Sequence, residues 1–583
     1  MKHPGSNPGP KPKISNMSVT LKRIGRYLLK RKGKLLLTMV MVALSSVFAL
    51  AGPFLTGVAI DDYITSGDEQ GLLWLLAGLA LVYIGYSLVS FLQNYWMADI
   101  AQKTVYELRD DLFRHFHKLP ISFFDKRRHG ELMSRVTNDI DNISSTLNSS
   151  IIQVASGLLT LIGSIAVMLY LSPLLTVVTL LIIPLMFGGM KWITNRTGPR
   201  FKEQQRHLGD LNGFIEEAIS SRHIVKMFSR EDEMIGEFMG KNERLREAGY
   251  LAQAYSGFIP KLMNLLNNAG FAVIALAGGI LALNGQASVG TIVIFTEYAR
   301  QFTRPLNDLA NQYNTMLSAV AGAERVFDIM DADEAIDRKE EKVHRLSGRV
   351  VFDHVTFSYK KGEETLSKVS FQAEAGETIA LIGPTGSGKT TIMNLLARFY
   401  EPDSGAILFD GVDSREIAGS TLRSQMGFVL QDTVLFEETV MENIRYGRLD
   451  ATDNEVIEAA RKANAHAFIM RMPEGYGSKL SQDGSGISQG QRQLLAIARA
   501  ILADPVMLIL DEATSSIDTI TELHIQEALG RLMEGRTSFV IAHRLNTIRR
   551  ADQIIRLKNG VIEAIGTYED VALDTSSSEH RFG

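Results

Sequence analysis

The stretch LIGPTGSGKTT contains a glycine-rich loop of the kind that binds phosphates. Its core, GPTGSGKT at residues 383–390, fits the pattern G-x-x-x-x-G-K-[ST], and it lies between an apolar run and the helix-like run TIMNLLARFY. Glycines let consecutive backbone N–H groups point at a phosphate, and the N-terminus of the following helix adds positive charge. Lys389 would then reach the outer phosphates and Thr390 would bind Mg²⁺. The loop predicts a nucleoside triphosphate site; the alternative is a glycine-rich turn without a ligand.

Two adjacent acids follow a later apolar run, in VMLILDEATSSID at residues 506–518. Asp511, at the predicted strand end, is suited to bind Mg²⁺, and Glu512 is suited to orient and activate an attacking water. The alternative is a solvated strand end, which the phosphate loop in the same domain makes less favourable. His543 follows another apolar run, FVIAHRLNT. A lone histidine is more often structural than catalytic, so both interpretations stay open for it.

The elements that must position these residues form a predicted α/β domain. Short β-branched runs such as VVFDHVTFSY, TIALIG, MGFVLQ, VMLILD and TSFVIAH alternate with helical segments. This alternation predicts a largely parallel sheet covered by helices.

The first half of the chain has a different pattern. Six apolar stretches are long enough to cross a bilayer as helices: residues 35–60, 72–96, 151–170, 174–192, 258–283 and 289–316. The connectors that are rich in Lys and Arg alternate with short connectors such as DDYITSGDEQG, which carries acids and no cation. The positive-inside rule places the long basic connectors in the cytoplasm. Six buried helices of a soluble bundle are the alternative that this alternation disfavours.

The two long inner connectors are predicted to be helical, because their apolar residues recur at helical spacing. Each contains a break suited to a short transverse helix, one in ISFFDKRRHGELMSR and one in EEAISSRHIVKMFSRE. The predicted domains are a flexible tail at residues 1–20, a transmembrane domain at 21–327, a linker at 328–348, a nucleotide-binding domain at 349–573 and a flexible tail at 574–583. The fold class is a multidomain membrane protein with a six-helix transmembrane domain, long cytoplasmic helical extensions and an α/β P-loop domain.

Composition excludes several other classes. The formal net charge of the 583 residues is −4, which gives no reason to expect nucleic acid as a partner. The chain has no cysteine, so disulfides, thiolate zinc sites and cysteine-held iron–sulfur clusters are excluded.

The second half resembles the nucleotide-binding domain of ATP-binding-cassette (ABC) transporters. The distinctive segment is ISQGQRQLLAIARAI at residues 487–501, between the phosphate loop and the acidic pair, which is similar to that family's signature sequence. The six-helix half resembles bacterial multidrug exporters, especially the subunit of heterodimeric exporters that carries the catalytic glutamate. The resemblance implies that ATP and Mg²⁺ bind between two subunits and that the inner connectors act as coupling helices.

The resemblance also implies roles for single residues. Tyr359 would stack on adenine, although an ordinary strand aromatic is as good an interpretation. Gln431 would bind Mg²⁺ near the γ-phosphate, Asp518 would cross the subunit interface, and His543 would be the switch histidine. The residues implied around the phosphates are Gly383, Pro384, Thr385, Gly386, Ser387, Gly388, Lys389, Thr390 and Thr391 in the loop, with Ser488, Gln489, Gly490 and Gln491 in the signature.

The signature departs from the usual Leu-Ser-Gly-Gly-Gln of the family. Ile487 and Gln489 replace the leucine and the first glycine, and Gln482 stands about where a glutamate is common. Such departures are similar to those of heterodimeric exporters with one degenerate ATP site. The sequence therefore favours a heterodimer with a second half-transporter, and a homodimer is the alternative.

The sixth apolar stretch carries polar residues at near-helical spacing, and it is predicted to line a cavity for cargo. These residues are Glu297, Arg300, Arg304, Asn307, Asp308, Asn311 and Gln312. The alternative is that they bond to neighbouring helices or gate the cavity. The predicted function is ATP-driven export of amphipathic drugs or lipids from a bacterial plasma (inner) membrane, by alternating access. A lipid or lipid A flippase is one alternative, and a nucleotide-gated channel or sensor is an alternative of another class that Glu512 disfavours.

Overall fold

The computed structural model describes residues 17–335, 345–360, 362–431, 433–481, 486–511, 517–542 and 544–573. The chain divides into two compact units. The first contains residues up to His117 together with Arg128–Asp333, and the second contains Lys118–Arg127 together with the chain from Glu334 onward. The ten residues Lys118–Arg127 therefore pack with the second unit although they lie within the sequence of the first.

The chain before the linker is helical. In chain order its helices are α1 (Met17–Leu29), α2 (Lys32–Val58), α3 (Glu69–Phe116), α4 (Ile121–Asp125), α5 (His129–Ser134), α6 (Ile140–Leu171), α7 (Pro173–Ser220), α8 (Arg222–Met227), α9 (Glu231–Leu283) and α10 (Val289–Met330). Two short π-helical segments, Ala59–Ile64 and Arg135–Asp139, extend α2 and precede α6. Helix α4 belongs to the second unit.

The long helices expose apolar side chains that a soluble bundle would bury. In the described part of the chain, four helical segments are long and apolar enough to cross a membrane: Lys32–Ile64, Glu69–Phe116, His129–Leu171 and Glu231–Leu283. Only 6% of the apolar window of α3 is buried, and Trp74 is 81% exposed. Lipid is the solvent that favours such a surface. The remaining two predicted spans, 174–192 and 289–316, fall within α7 and α10, and their crossing of the membrane stays a prediction.

Local sequence explains where the helices begin. Ser172 precedes α7 and its Oγ accepts a hydrogen bond from the Leu175 backbone N–H, with Pro173 in the first turn. Ser288 precedes α10 and accepts from the Thr291 backbone N–H at 3.0 Å. Each serine satisfies one of the free N–H groups of a helix start. One core of this unit includes Met168, Ile274 and Phe295.

Both predicted breaks in the inner connectors contain a short helix. The first break contains α4 and α5, and the second contains α8, which joins the long helices α7 and α9. Helices α7 and α9 pack along one another, and a Cβ on Gly189 of α7 would lie 3.1 Å from Leu266 of α9. The helices thus continue well beyond the apolar stretches, as the spacing of apolar residues predicts.

The second unit is α/β. Its strands are β1 (Val350–Phe357), β2 (Leu366–Ala373), β3 (Thr378–Ile382), β4 (Ser404–Phe409), β5 (Val412–Asp413), β6 (Met426–Val429), β7 (Met507–Asp511), β8 (Thr537–Ile541), β9 (Gln553–Lys558) and β10 (Val561–Gly566). Its helices after the linker are α11 (Lys389–Leu396), α12 (Gly419–Arg423), α13 (Val440–Arg445), α14 (Asp453–Lys462), α15 (His466–Ile469), α16 (Gln489–Ala503), α17 (Thr519–Met533), α18 (Leu545–Arg550) and α19 (Tyr568–Leu573).

The strands form two sheets rather than one. The larger sheet has the order β10-β9-β3-β8-β7-β6, and its strands are parallel except for β10. The smaller sheet, β2-β1-β4-β5, is antiparallel. The run VVFDHVTFSY was expected in the parallel sheet, and this was wrong, because β1 pairs with β2 and β4 in the antiparallel one. A buried strand has the same apolar composition in either sheet, so composition does not separate the two.

Two of the predicted domain boundaries fall inside helices. Helix α1 begins at Met17, so residues 17–20 of the predicted tail are helical. Helix α10 ends at Met330, so residues 328–330 of the predicted linker continue it. Residues 1–16, 336–344 and 574–583 lie outside the described part of the chain.

Candidate functional site

The phosphate loop connects β3 to α11, as the sequence predicts. Gly383, Gly386 and Gly388 have φ angles of +147°, +80° and +105°. Residues that carry a side chain rarely adopt such backbone conformations. At Gly383 a Cβ would lie 2.1 Å from the carbonyl oxygen of Leu557, and at Gly388 it would lie 2.5 Å from Leu366 Cδ2. Neighbouring strands therefore exclude any side chain at these two glycines.

Lys389 is the first residue of α11 and its side chain is largely buried. Its Nζ donates hydrogen bonds to the carbonyl oxygens of Gly383, at 2.7 Å, and Pro384, at 2.9 Å. Burial lowers the pKa of Lys389, and the Asp511 carboxylate opposes that shift. A phosphate in the loop would also favour the charged ammonium, because an opposite charge stabilises it.

The hydroxyl groups of the loop fit a phosphate ligand. Ser387 Oγ is buried and has no hydrogen-bond partner among the described residues. Buried polar atoms are normally paired, so this hydroxyl is suited to an anion held by the loop. Thr390 is exposed at the start of α11, whereas Thr391 is buried. The Thr390 hydroxyl is therefore the one accessible to a cation.

Strand register brings the acidic residue to the same edge. Leu381 in β3 and Asp511 in β7 are both paired with Ile541 of β8, the strand between them. Strand β6 pairs in parallel with β7, and Gln431 follows its end as an exposed residue. The phosphate loop, Asp511 and Gln431 therefore occupy neighbouring positions on one edge of the sheet.

Metal binding at this edge would combine few protein ligands with phosphate oxygens. No group of three His, Cys, Asp or Glu side chains placed to hold a metal ion occurs within the described residues. Mg²⁺ commonly binds through one or two protein oxygens together with substrate phosphates, and Thr390, Gln431 and Asp511 supply such oxygens. The predicted base Glu512 and the predicted switch His543 lie outside the described residues, as does Gln482.

The signature segment forms the start of α16. Ser488 is its N-cap and accepts a hydrogen bond from the Gln491 backbone N–H, while the Gln491 side chain accepts from the Ser488 backbone N–H at 3.0 Å. This reciprocal pair is a capping box, which leaves the N-terminus of α16 well formed. Gly490 is buried, because a Cβ there would lie 2.4 Å from Thr521 Cγ2 of α17. The replacements Ile487 and Gln489 leave this local fold intact.

Asp518 is the N-cap of α17 and is fully exposed. Its carboxylate accepts a hydrogen bond from the Thr521 backbone N–H at 2.9 Å. That hydrogen bond lowers the pKa of Asp518 from its usual value. Asp518 is therefore an anion on the face of α17 next to the signature helix.

Two parts of the sequence match models of known protein families. Residues 35–306 match "ABC transporter transmembrane region" and residues 366–515 match "ABC transporter". An uncharacterized ABC transporter ATP-binding protein of Bacillus subtilis is 58% identical over 561 residues, which cover 96% of this chain and 93% of the relative. A solved bacterial Atm1-family ABC exporter with ATP bound has a TM-score of 0.75 at 28% identity, covering 95% of this chain and 99% of that one. The chain is an ABC exporter half-transporter.

A further relative has a named cargo. A fatty acid ABC transporter ATP-binding/permease protein of Mycobacterium bovis is 44% identical over 496 residues, which cover 85% of this chain and 79% of the relative. The match of both family models and of the solved exporter identifies the chain as a membrane protein that binds nucleotide and couples ATP hydrolysis to export. Half-transporters of this kind generally dimerise.

The exporter holds Tyr359 in a small aromatic cluster at the end of β1. Tyr359 is 37% exposed, and its hydroxyl accepts a hydrogen bond from Asn394 Nδ2 at 3.0 Å. Its ring meets those of Phe357 and Tyr400 edge to face, with centroids 4.9 and 5.0 Å away. One part of the ring is thus fixed by neighbours while another part is accessible to a planar ligand.

The polar residues of the sixth stretch of the exporter divide into two groups. Gln312 bonds to Ser150 and Gln153 on α6, as the bonding alternative predicts. Arg300 is 57% exposed and lies 3.4 Å from the Glu297 carboxylate, and Asn311 is exposed, as a cavity wall requires. Asp308 is half-buried. The side chains of Arg304 and Asn307 are not among the described ones.

Sequence reasoning missed three residues close to the predicted site. Asn394 follows Thr390 by one helical turn, so the i, i+4 spacing of α11 could have indicated it. Tyr400 and its hydrogen-bond partner Asp125 are far apart in the sequence, and no spacing signal links them. Such contacts require the fold.

Proposed function

We propose that this exporter pairs with a second half-transporter and hydrolyses Mg·ATP at the interface of the two nucleotide-binding domains. Lys389 and the loop N–H groups would bind the phosphates, and Thr390, Gln431 and Asp511 would hold Mg²⁺. The observation that carries this proposal is the shared register at Ile541, which aligns the phosphate loop with Asp511.

The chemistry needs a base and a cap besides the loop. Glu512 follows Asp511 directly in sequence, and we propose it as the general base that orients the attacking water, with His543 as the switch residue. Ser488, the signature N-cap, would point the N-terminus of α16 at the phosphate held by the partner subunit, because helix N-termini favour anions. Closure around ATP can drive transport only as far as ATP binds the closed dimer more tightly than the open one.

We propose that the partner is a different half-transporter. Gln489 occupies the first turn of α16, where the family has glycine, and its longer side chain adds bulk where the γ-phosphate of the partner's ATP would approach. The site completed by this signature would then be the weaker of two. Strong ATP turnover from this chain alone would instead support the homodimer and would refute the heterodimer.

The exporter's apolar spans carry an excess of positive charge, which supports an anionic cargo. Within the six stretches, four cations stand against two carboxylates; they are Lys191, Lys261, Arg300 and Arg304 against Glu297 and Asp308. Cations at bilayer depth are costly and mark substrate pathways. The alternative for the two lysines is a purely structural one, in which their ammonium groups extend to the membrane surface and contact no cargo.

The positions of these cations support a common role. A Cβ on Gly189 would lie 3.1 Å from Leu266 and 3.4 Å from Leu262 on the facing helix. Lys191 and Lys261 adjoin this contact, so they lie at similar depth, and both are exposed. We propose that the cargo is an amphiphile with a long apolar tail and an anionic headgroup, such as a fatty acid. The fatty acid relative from Mycobacterium bovis supports this choice.

Stimulation of ATP turnover tests the cargo. The exporter, in lipid and with its partner if one is required, would be titrated with oleate and with a quaternary ammonium amphiphile of equal chain length. We expect stimulation by oleate, and we expect Lys191→Gln with Lys261→Gln to raise the oleate concentration needed about tenfold. Lys202→Gln, an exposed lysine on α7 beyond the apolar stretch, is the control. Equal stimulation by both amphiphiles, unaffected by the lysine changes, would contradict an anionic cargo and leave export itself intact.

A further inference from the structure

We propose that Tyr400 links the base-binding end of the ATP site to helix α4, so that adenine stacked on Tyr359 sets the position of α4. The inference rests on the proposed ATP site, and it goes beyond that site by assigning a positioning role to two residues, Tyr400 and Asp125. Helix α4 lies in Lys118–Arg127, the segment of the first half that packs with the second unit.

Three aromatic rings connect β1 to Tyr400. The ring centroids of Tyr359 and Tyr400 are 5.0 Å apart at an interplanar angle of 87°, and Phe357 contacts both rings within 5.4 Å. Edge-to-face pairs of this kind have a preferred geometry and are held by close packing. A base that stacks on Tyr359 therefore restricts Tyr400 as well. Asn394 holds the Tyr359 hydroxyl from the opposite side.

The Tyr400 hydroxyl reaches the end of α4. It donates a hydrogen bond to Asp125 Oδ2 at 2.6 Å, a length typical of a hydroxyl bound to a carboxylate. Burial, and then the Asp125 carboxylate, raise the pKa of Tyr400 well above its ordinary value. The hydroxyl is therefore protonated, and able to donate, throughout the physiological pH range.

Helix α4 depends on polar contacts for its position. It has five residues and buries none of them. Upstream of it, Lys118 pairs with Glu334 at 3.2 Å, and the Lys118 carbonyl accepts a hydrogen bond from the Ala335 backbone N–H at 2.8 Å. The Asp125 bond holds the other end of α4. The side chains of Phe123 and Phe124 in α4 are only half-buried, so packing contributes less than in a core helix, and loss of the Asp125 bond should loosen that end.

The arrangement implies two separate signals from bound ATP. Gln431 is placed to respond to the phosphate end, and the Tyr359–Tyr400–Asp125 chain responds to the base end. Tyr400→Phe should separate these signals, because it keeps the ring against Tyr359 and removes only the hydroxyl. ATP binding and basal hydrolysis should then persist while the response of α4 to ATP is lost.

A single reporter can follow α4, because the chain has no cysteine. Lys126→Cys, at the exposed residue after α4, would carry an environment-sensitive fluorophore on the full-length exporter in lipid. The measurements are the ATP-induced change at the reporter, the Kd for ATP, and the ratio of oleate-stimulated to basal turnover. Tyr568→Phe is the control, since its hydroxyl has no hydrogen bond among those of the described residues.

Loss of a hydrogen bond to a charged group predicts that Tyr400→Phe and Asp125→Ala each reduce the equilibrium constant for the ATP-induced change about tenfold. Because the two equilibria are linked, the Kd for ATP should rise by no more than the same factor. The double variant should be no worse than either single one, because both remove the same bond. Asp125→Asn keeps an acceptor oxygen and should retain most of the response. A general loss of folding would also lower ATP affinity and would not be rescued by Asp125→Asn.

An unchanged reporter response and turnover ratio in Tyr400→Phe, with normal ATP binding, would overturn this inference and leave the proposed ATP site standing. If Tyr400→Phe failed to fold, exposed Asp125→Ala would carry the same test. Failure of the proposed ATP site would give a different result. Lys389→Ala would then bind ATP as tightly as the unmodified exporter does.

Discussion

Gly490→Ala adds one methyl group at the most crowded point of the signature helix. The new Cβ would lie 2.4 Å from Thr521 Cγ2 and 3.1 Å from Ile517 Cγ2. Ordinary contacts begin near 3.4 Å. The N-terminus of α16 must therefore move away from α17 by about 1 Å, or α17 must yield by the same distance.

The magnitude follows from two opposing effects. Overpacking of this kind costs about 1–3 kcal/mol, and the better helix propensity of alanine returns about 0.5–1 kcal/mol. The two ranges leave a net loss of about 0–2.5 kcal/mol with a centre near 1 kcal/mol, which lowers the thermal midpoint of the nucleotide-binding domain by about 2–4 °C. Gly530→Ala is the matched control, because it lies inside α17 with no atom within 4 Å of its Cβ position. It should be stabilising.

The same shift should affect catalysis more than binding. Ser488 and Gly490 belong to the segment proposed to cap the partner's ATP, and a misplacement of 1 Å can cost about a hundredfold in rate. The assays are thermal unfolding of the exporter, ATP turnover and ATP affinity. Thr521→Ser removes the clashing methyl group and should restore part of both losses. The packing argument is refuted if Gly490→Ala unfolds at or above the midpoint of wild type, or if Thr521→Ser restores nothing.

Two further predictions concern stability. The Arg536 guanidinium, 2.7 Å away, lowers the pKa of Asp504, so the stability that this carboxylate contributes is present above its unfolded pKa near 4 and is lost as the pH falls through the folded value. Asp504→Asn should therefore cost less than about 1 kcal/mol at pH 7, since the Asp504 carboxylate is exposed and screened by solvent, and pH-dependent thermal unfolding should show the difference shrinking below pH about 4. Gly290→Ala would place a Cβ 2.2 Å from the Gly57 carbonyl oxygen and should cost about 1–3 kcal/mol in a melting experiment, whereas Gly279→Ala meets no atom within 4 Å and should not.

The position and conformation of the predicted phosphate loop were predictable because its geometry is local. The loop glycines, Lys389 and Thr390 lie within one short stretch, and the positive φ angles and close backbone contacts of that stretch require glycine at Gly383 and Gly388. Asp511 was predictable because parallel strands end at a common edge. For these residues, spacing and strand order together determine position.

The long helices were predictable from a second strong signal. Five of the six apolar stretches fall within one α-helix each, and the first runs from α2 into the π-helical segment that extends it. A segment that crosses lipid must satisfy its backbone hydrogen bonds internally, which favours such unbroken helices. Helix ends were less accurate, as Met17 and Met330 show. Whether a helix extends by one further turn depends on its capping residues and on the segments packed beside it more than on the periodicity of its apolar residues.

The remainder required tertiary structure. Strand β1 pairs in an antiparallel sheet that composition does not separate from the parallel one. Tyr400 and Asp125 meet although most of the first unit lies between them in sequence, and α4 packs with the second unit. A glutamine at position 312 is compatible with either a cargo contact or a bond to a neighbouring helix, so the residue type does not separate the two. The hydrogen bond between Gln312 and Ser150 agrees with the second interpretation.

ATP turnover of the assembled two-chain exporter in lipid, with and without Glu512→Gln, tests the central claim most directly. Loss of the general base should lower turnover and cargo export together by about a hundredfold or more, while ATP still binds and closes the dimer. Turnover and export that persist in Glu512→Gln would contradict ATP hydrolysis at this site as the driving reaction.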